Sequence, residues 1–539
     1  CAAAVEDTLS AVCNAARQNG AAGILLCDDG VHLSAGGKRA VCAADDPLFT
    51  ALYTDAAIAK RTHDYKTLAA ALLPLIPQGF TMDTMLAVYL LNPLAKDYTL
   101  ARLAMEYSLP PLCEVEQMAA LAEKLAPLLE EQGMAALLRD MELPLALVLA
   151  EMERDGVAVD AAGIAAFGAS LQSEIAALQK LVWDMVGYEF NLNSPKQLAK
   201  ALFEDLGLPA GKKTKSGYST NADVLEKLRE DYPVVDALLQ YRSLAKLSST
   251  YCEGLLKVVG EDGRIHSCFN QTETRTGRIS SAEPNLQNIP VRQELGRELR
   301  RFFRAREGWQ LVDADYSQIE LRVLAHMADE PTMKAAFNSG EDVHRITAAQ
   351  VFGVPEEMVT PLMRSRAKAV NFGIIYGIGA HSLSEDIGVS YSEAKAYIDG
   401  YLRHYGAVAG FMDKMVADAK ETGYAETIFG RRRPLPELKA SQAMLRAFGE
   451  RVARNAPIQG TAADIIKMAM IRVRDRLLRD GLQARLILQV HDELIVEAPA
   501  NEVDAVTALL TEEMENAAAL TVKLTVEATS GDTWYDTKG

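Results

Sequence analysis

Two aspartates stand where an acid is costly. Asp315 closes the apolar run 310–316, in which side chains alternate, so Leu311, Asp313 and Asp315 point to one face and Val312, Ala314 and Tyr316 to the other. Asp492 lies in His491-Asp492-Glu493, between the apolar runs 486–490 and 494–496, a pattern that reads as a hairpin with a polar tip. A carboxylate at the rim of a buried strand needs a cation or donors to meet it. Two such strand ends in one chain are what two-metal phosphoryl transfer requires: carboxylates hold divalent ions about 3.5 to 4 Å apart, which activate an attacking oxygen and neutralise a leaving phosphate. Mg²⁺ keeps few protein ligands, because waters and substrate phosphates complete its octahedron, so two aspartates suffice. Each acid also has a structural reading. Ser317 and Glu320 have capping-box spacing, Asp315 is placed to cap the same helix, and Asp492 fits a solvated turn.

The elements around these acids follow from periodicity. A helix is expected from Ser317, burying Ile319, Val323, Leu324 and Met327. Thr360-Pro361 opens another, with Met363, Ala367, Val370 and Ile374 on a core face and Arg364, Lys368 and Phe372 at four-residue steps on a second face. Such cations can hold a triphosphate, and Phe372 and Tyr376 can stack beside a base; a solvated helix with core aromatics fits the same spacing. Arg451, Asn455 and Gln459 repeat in steps of four, suited to following a template strand, on a helix expected to break at Pro457. A further helix is expected from Gly460-Thr461, with Ile466, Met470, Val473 and Leu477 facing a core. The irregular segment 277–292 offers Asn285, Gln287 and Asn288 to phosphates, sugars or base edges. A basic loop at 211–218, with Lys212, Lys213 and Lys215, lies between helical segments that could grip a nucleic-acid backbone.

At 539 residues the chain exceeds one core, and roughly two to four domains are expected. Residues 1 to about 125 are rich in Ala and Leu, strand-like at 23–27 and helical at 82–91, and read as a small α/β domain; the pattern turns helical and acidic from about 126 to 190. A net charge of −17 argues against indiscriminate coating of nucleic acid, yet leaves room for a local basic groove. The seven cysteines are odd in number and contain no C-x-x-C pair, so neither a disulfide framework nor a zinc site is expected. There is no leader pattern and no apolar run of membrane-spanning length, which reads as a soluble, cytoplasmic protein; a start at Cys1 reads as a fragment.

The order DADYSQIELR at 313–322, MRSRAKAVNFGIIYG at 363–377 and QVHDE at 489–493 resembles motifs A, B and C of family A DNA polymerases. TGRISSAEPNLQNIPVR at 276–292 resembles a further signature of the family's bacterial members. The likeness runs from about residue 126 to the end and is similar to their large fragment, without the amino-terminal 5′ nuclease domain. It implies an α/β multi-domain chain with a right-hand architecture: a polymerase domain over 126–539, with a thumb at about 126–275, palm and fingers at about 276–539, and fingers at about 330–440. An amino-terminal ribonuclease H-like, exonuclease-type domain would occupy 1–125.

Carried over by motif position, Asp315 and Asp492 would be the catalytic metal ligands for two Mg²⁺ ions, with the Tyr316 carbonyl a further ligand and Glu493 an adjacent acid. Glu320 would be the gate against a ribose 2′-hydroxyl. His344, Arg364 and Lys368 would bind the deoxynucleoside triphosphate, Phe372, Tyr376 and Gln318 would pack beside it, and Lys368 would protonate pyrophosphate. Arg278, Asn455 and Gln459 would read the primer-template minor groove, whose shared acceptors permit a shape check without sequence choice. Asn285, Gln287, Asn288, Arg451, His491 and the lysines 212, 213 and 215 complete the expected DNA contacts of a monomer that meets no membrane. The chain departs from the family where Ser365 replaces a second Arg, with Arg366 beside it as the substitute, and at His381 and Pro434. Resemblance to a proofreading domain rests on 82–86 and 89–93, yet residues 1–125 contain neither Asp-x-Glu nor Tyr-x-x-x-Asp, the grouped acids that metal-dependent hydrolysis needs, so an inactive exonuclease fold is expected.

Overall fold

Alternating apolar strands build a sheet near each end of the chain in this computed structural model, which describes residues 7–210, 213–214, 217–290 and 294–538. The chain divides into two compact units. One comprises Cys1–Asp155, Cys268–Ala282 and Val312–Ser530; the other comprises Gly156–Ser267, Glu283–Leu311 and Gly531–Gly539.

In the first unit, β1 (Ala21–Cys27), β2 (Gly30–Ala35), β3 (Lys38–Cys42), β4 (Ala59–Thr62) and β5 (Phe80–Asp83) form a sheet of order β3-β2-β1-β4-β5. The β1-β2 and β2-β3 pairs are antiparallel, whereas β4 runs parallel to both β1 and β5. The helix expected over 82–91 begins later, as α1 (Thr84–Leu91), because Met82 and Asp83 finish β5. Asp83 then caps α1, its Oδ1 accepting from the amides of Met85 at 2.8 Å and Leu86 at 3.3 Å. Helices α2 (Glu114–Glu131) and α3 (Leu143–Asp155) follow, the former packing Val115 and Met118 on Leu25 of β1.

The second sheet has the order β7-β8-β6-β9, from β6 (Trp309–Tyr316), β7 (Arg485–Val490), β8 (Glu493–Pro499) and β9 (Val526–Gly531). As the apolar pattern anticipates, β7 and β8 are an antiparallel hairpin, and Val490 opposite Glu493 leaves His491 and Asp492 as its turn. β8 is buried along its whole length, which places its turn at a core rim. The same first unit carries α4 (Ile319–Met327), α5 (Val343–Phe352), α6 (Pro361–Ile375), α7 (Tyr391–His404), α8 (Ala443–Arg479) and α9 (Val503–Glu515).

Two expectations about helix ends are corrected. α4 starts at Ile319, after a left-handed Gln318 at φ 55°, and no side chain caps it. The Ser317-Glu320 capping box is absent because the Ser317 amide is committed to the Thr525 carbonyl at 2.9 Å and the Glu320 carboxylate binds other side chains. α8 does not break at Pro457 but continues for 37 residues. Proline removes one intrahelical hydrogen bond, and burial of Ala453, Ala456, Pro457, Ile458, Gly460 and Thr461 holds the helix on both sides of that gap. Gly460 is required by close approach: a Cβ there would lie 2.7 Å from Cγ2 of Thr427.

α8 is also held by a buried charge cluster. Glu142 Oε1 accepts from Lys467 Nζ at 2.7 Å and Arg431 Nη2 at 2.5 Å, Arg431 Nε donates to Asp464 Oδ1 at 2.7 Å, and Gln271 Nε2 donates to Glu142 Oε2 at 2.7 Å. Burial works to raise the Glu142 carboxyl, but Lys467 and Arg431 outweigh it and hold it down at about 2. A Cβ on Gly277, which has φ +87°, would lie 2.6 Å from Arg431 Nε, so the cluster also fixes the backbone next to Arg278.

In the second unit, the helix Ala161–Val186 packs with Pro233–Lys246 over a core that includes Val182, Leu198, Leu202 and Leu238. By length and composition Ala161–Val186 is long and apolar enough to cross a membrane, a span not evident as an uninterrupted run because Glu174, Lys180 and Asp184 punctuate it. Lys212 and Lys215 lie outside the described residues, and Lys213 is described only as backbone paired with Tyr218. The six described cysteines are free thiols.

Removing Glu142 strands two buried cations against Asp464 alone. Glu142→Ala is expected to lower unfolding free energy by about 3 to 5 kcal/mol, read by denaturant melts at pH 7. Because the Glu142 pKa is depressed, its contribution is present above the usual carboxylate pKa and fades as pH falls toward about 2, so the wild-type and variant melts should converge in strong acid.

Candidate active site

The amide of Tyr316 donates to the carbonyl of Asp492 at 3.1 Å, which ties the end of β6 to the β7-β8 turn. Alternation along β6 then sets Asp315 beside Asp492 at one rim. Burial raises the Asp492 carboxyl to about 7, with the Asp315 charge the next contribution and Glu320 and Glu493 adding to it. Four acids therefore share one poorly solvated volume. Asp313, on the same strand face, is buried at 1 % exposure. The donors that Asp315, Asp492 and the Tyr316 carbonyl can offer are hard oxygens, which fit Mg²⁺ and not a thiolate-seeking metal. The Tyr316 ring points away, its hydroxyl donating to the Met514 carbonyl at 2.6 Å.

Glu320, on the first turn of α4, gathers two of the expected site residues. Its Oε1 accepts from Arg278 Nη2 at 2.7 Å and its Oε2 from the Tyr376 hydroxyl at 2.9 Å. With its amide oriented to suit its neighbours, Gln459 of α8 accepts from Arg278 Nη1 at 3.0 Å and Nη2 at 3.3 Å. Tyr376 ends α6, and burial followed by the Glu320 charge raises its phenol to about 12. Asn455 reaches the Ile375 carbonyl at 3.5 Å, and the Arg451 side chain lies against Gly377, so the four-residue stripe on α8 does face the end of α6. Gln318 has a buried Oε1 without a hydrogen bond among the described residues.

A second cluster gathers cations between α5 and α6. One oxygen of Asp342 caps α5, accepting from the amides of His344 at 3.0 Å and Arg345 at 3.2 Å, and the other accepts from Arg364 Nε at 2.6 Å. Burial pushes the His344 imidazole down to about 4; Asp342 opposes this, and the Arg364 and Lys368 cations add to it. His344 is thus neutral beside two cations, its ring 5.8 Å from that of Phe372. Arg366 does not join them. Two residues along α6 is about 200° of rotation, and Arg366 acts instead on Glu393 of α7. His381 is exposed near Glu385, and Pro434 sits in a short strand pair opposite Tyr424.

Not every expected residue joins these clusters. Asn285, Gln287 and Asn288 belong to the second unit, where Asn285 precedes the short turn Leu286–Asn288 and the Asn288 carbonyl accepts from the Tyr251 hydroxyl at 2.6 Å. His491 is exposed in the hairpin turn, with a left-handed φ of 53°. Asp342 and Asn371, both in the cation cluster, escape a reading of motifs. Asp342 looks like an ordinary helix cap, and the available signal for Asn371 is a polar residue beside the apolar stripe of α6.

The family model described as DNA polymerase family A matches residues 162–536. The chain is similar to DNA polymerase I of Bacillus subtilis (strain 168), 46% identical over 489 residues, covering 86% of this chain and 56% of that protein. It is similar also to DNA polymerase I of Geobacillus stearothermophilus, 44% identical over 530 residues, covering 93% of this chain and 60% of that protein. The chain thus spans a little over half the length of these relatives. Among solved structures, the POL domain of Pol1 from M. smegmatis, in complex with a DNA primer-template and dNTP, matches with a TM-score of 0.94 at 36% identity, over 99% of this chain and 100% of that one.

The crowding at Asp492 has a thermodynamic signature. A raised carboxyl pKa means that the folded state holds the proton more tightly, so this contribution to stability is full below the ordinary pKa and declines as pH rises toward about 7. Metal-free protein should accordingly lose Tm between about pH 4 and 7, and Mg²⁺ should restore more Tm at the upper end of that range. Asp492→Asn should flatten that slope and remove the Mg²⁺ gain; identical curves for variant and wild type would contradict a shared acidic volume.

Proposed function

The chain belongs to DNA polymerase family A, and from that premise we propose that it is a DNA-dependent DNA polymerase, which adds deoxynucleotides to a primer 3′-hydroxyl and releases pyrophosphate. The observation that carries this reading is the joining of Asp315 and Asp492 at one acidic rim, together with a helix that bears Arg364 and Lys368 and whose terminal Tyr376 donates to Glu320. The solved likeness, a complex with primer-template and dNTP, supports the choice of partners.

Asp315, Asp492 and the Tyr316 carbonyl would hold two Mg²⁺ ions, with Glu493 adding negative charge behind them. When bound, the ions supply Lewis-acid activation of the 3′ oxygen and neutralise charge on the transferring phosphate. Arg364 and Lys368 bind the triphosphate as cations, and His344 does so as a neutral donor. Asp342 keeps Arg364 extended until the substrate takes its place, and Lys368 delivers a proton to pyrophosphate. Glu320, clamped by Arg278 and Tyr376, stands as a fixed wall against a ribose 2′-hydroxyl, while Phe372, Tyr376 and Gln318 pack around sugar and base. Arg278, Gln459 and Asn455 meet the minor groove, and Arg451, His491, Asn285, Gln287, Asn288 and the 212–215 lysines follow the strands. In this reading residues 126–275 act as thumb, 276–539 as palm and fingers, with the fingers at about 330–440, in a cytoplasmic monomer.

Residues 1–125 are read as an exonuclease-like domain that has lost its chemistry. β1 carries no acid, and the buried Asp83 is occupied by the backbone amides of Asp64, Tyr65, Met85 and Leu86. A carboxylate saturated by four amides is a cap and not a metal ligand.

Asp492→Ala should cut primer extension by roughly a thousandfold or more while duplex binding, read by fluorescence anisotropy, stays near wild type; substantial residual synthesis would sink the metal assignment. Glu320→Ala should admit ribonucleotides in single-nucleotide incorporation assays, and unchanged sugar selectivity would remove the gate. A primer with a mismatched 3′ end should be extended slowly without being shortened first, whereas excision of the mismatch would overturn the inactive-exonuclease reading.

A further inference from the structure

Resting on that reading of His344, we infer that Asn371 is a positioning residue, whose buried amide fixes the His344 imidazole as the Nε2–H tautomer that donates to the triphosphate. Four side chains contributed by α5, α6 and the residue following α7 form a closed relay. Asn371, Thr347 and Tyr405 are 0 % exposed and His344 is 2 % exposed, so the relay is shielded from bulk solvent. Asn371 Nδ2 lies 2.8 Å from His344 Nδ1. An amide nitrogen only donates, so Nδ1 must present its lone pair, and a neutral imidazole then carries its one proton on Nε2. Neutrality follows from burial and from the Arg364 and Lys368 cations nearby.

The rest of the relay holds the amide in that orientation. The Tyr405 hydroxyl lies 3.1 Å from Thr347 Oγ1 and can donate to it, and the single Thr347 proton faces the Val343 carbonyl at 2.8 Å and Asn371 Oδ1 at 3.2 Å. Asn371 Oδ1 therefore lies beside the Thr347 hydroxyl, whose proton it shares with the Val343 carbonyl, and Nδ2 lies beside the imidazole. Turned over, the amide would present Oδ1 to the imidazole, draw the proton to Nδ1, and leave Nε2 as a bare lone pair toward an anion. Asn371 also sits three residues beyond Lys368 and next to Phe372, so one stretch of helix supplies a phosphate cation, the packing face of the imidazole and the group that sets its proton. The consequence is a donor beside Arg364 and Lys368 that adds no third positive charge. Repulsion among clustered cations is thereby avoided, and a hydrogen bond to phosphate is retained.

The test uses the whole chain labelled with ¹⁵N-histidine. It contains eight histidines, and loss of one signal set in His344→Gln assigns the resonance. Long-range proton-nitrogen spectra at neutral pH should show an unprotonated Nδ1 and a protonated Nε2; the reverse pattern, or a tautomer mixture, overturns the inference whatever any variant does. Asn371→Leu, nearly isosteric and uncharged, removes the donor to Nδ1 and should release the imidazole to a tautomer mixture, raising the KM for dNTP about tenfold with kcat changed far less. In a His344→Gln background the same substitution should change KM no further, because the group it positions is gone. An undiminished KM penalty there would assign Asn371 a merely structural role and reject the proposal. Failure of the wild-type chain to extend a primer would instead reject the polymerase reading and leave the tautomer measurement standing, so the two failures are distinguishable.

Discussion

One backbone hydrogen bond, from the Tyr316 amide to the Asp492 carbonyl, sets the constraint on which the acidic rim depends. It joins a strand end to a hairpin turn, so two carboxylates far apart in sequence must occupy one poorly hydrated volume. Like charges held so close do not both ionise freely without a cation, and the elevated Asp492 pKa expresses that conflict. The fold thus maintains an electrostatic strain that a divalent ion would relieve. Completely buried β8 fixes the turn from below, and the Ser317 bond to Thr525 fixes the other end of the rim.

The surrounding groups hold the rim in register. Glu320 is a hub, with each oxygen taken by a different element, so Arg278, Tyr376 and through them Gln459 and the end of α6 share one arrangement. The Glu142 cluster stabilises the same region through Arg431, packed against Gly277. Both are fully hydrogen-bonded charge networks, and networks of that kind specify geometry more than they add net stability. Asp342 repeats the economy on a smaller scale, with one oxygen for a helix cap and one for Arg364.

Much of this was legible before any coordinates. The period-two run ending in Asp315 and the paired apolar runs about Asp492 became the predicted strand and hairpin, and the four-residue stripe on α6 became a cation-bearing face. What sequence reasoning missed was decided by tertiary partners. Pro457 carries a strong breaking tendency, but packing around α8 overrides it; the Ser317-Glu320 spacing is correct for a capping box, yet Arg278 and Tyr376 compete for the carboxylate. Arg366 lies between Arg364 and Lys368 in sequence, but its charge acts on Glu393 of α7. Asn371 was invisible because one buried amide beside an apolar stripe has no periodicity to betray its partner. The division into two compact units likewise arises from three separated chain segments in each, a long-range arrangement that composition does not encode.

The central claim is that Asp315 and Asp492 together hold a pair of divalent ions against a primer end and an incoming nucleotide. Its most direct test is electron paramagnetic resonance of bound Mn²⁺ in the ternary complex with primer-template and a non-hydrolysable dNTP. Two ions about 3.5 to 4 Å apart should give an exchange-coupled spectrum at a stoichiometry of two, and Asp315→Asn should abolish the coupling. A single uncoupled ion in the wild-type complex, or a coupled pair that survives Asp315→Asn, would contradict the account.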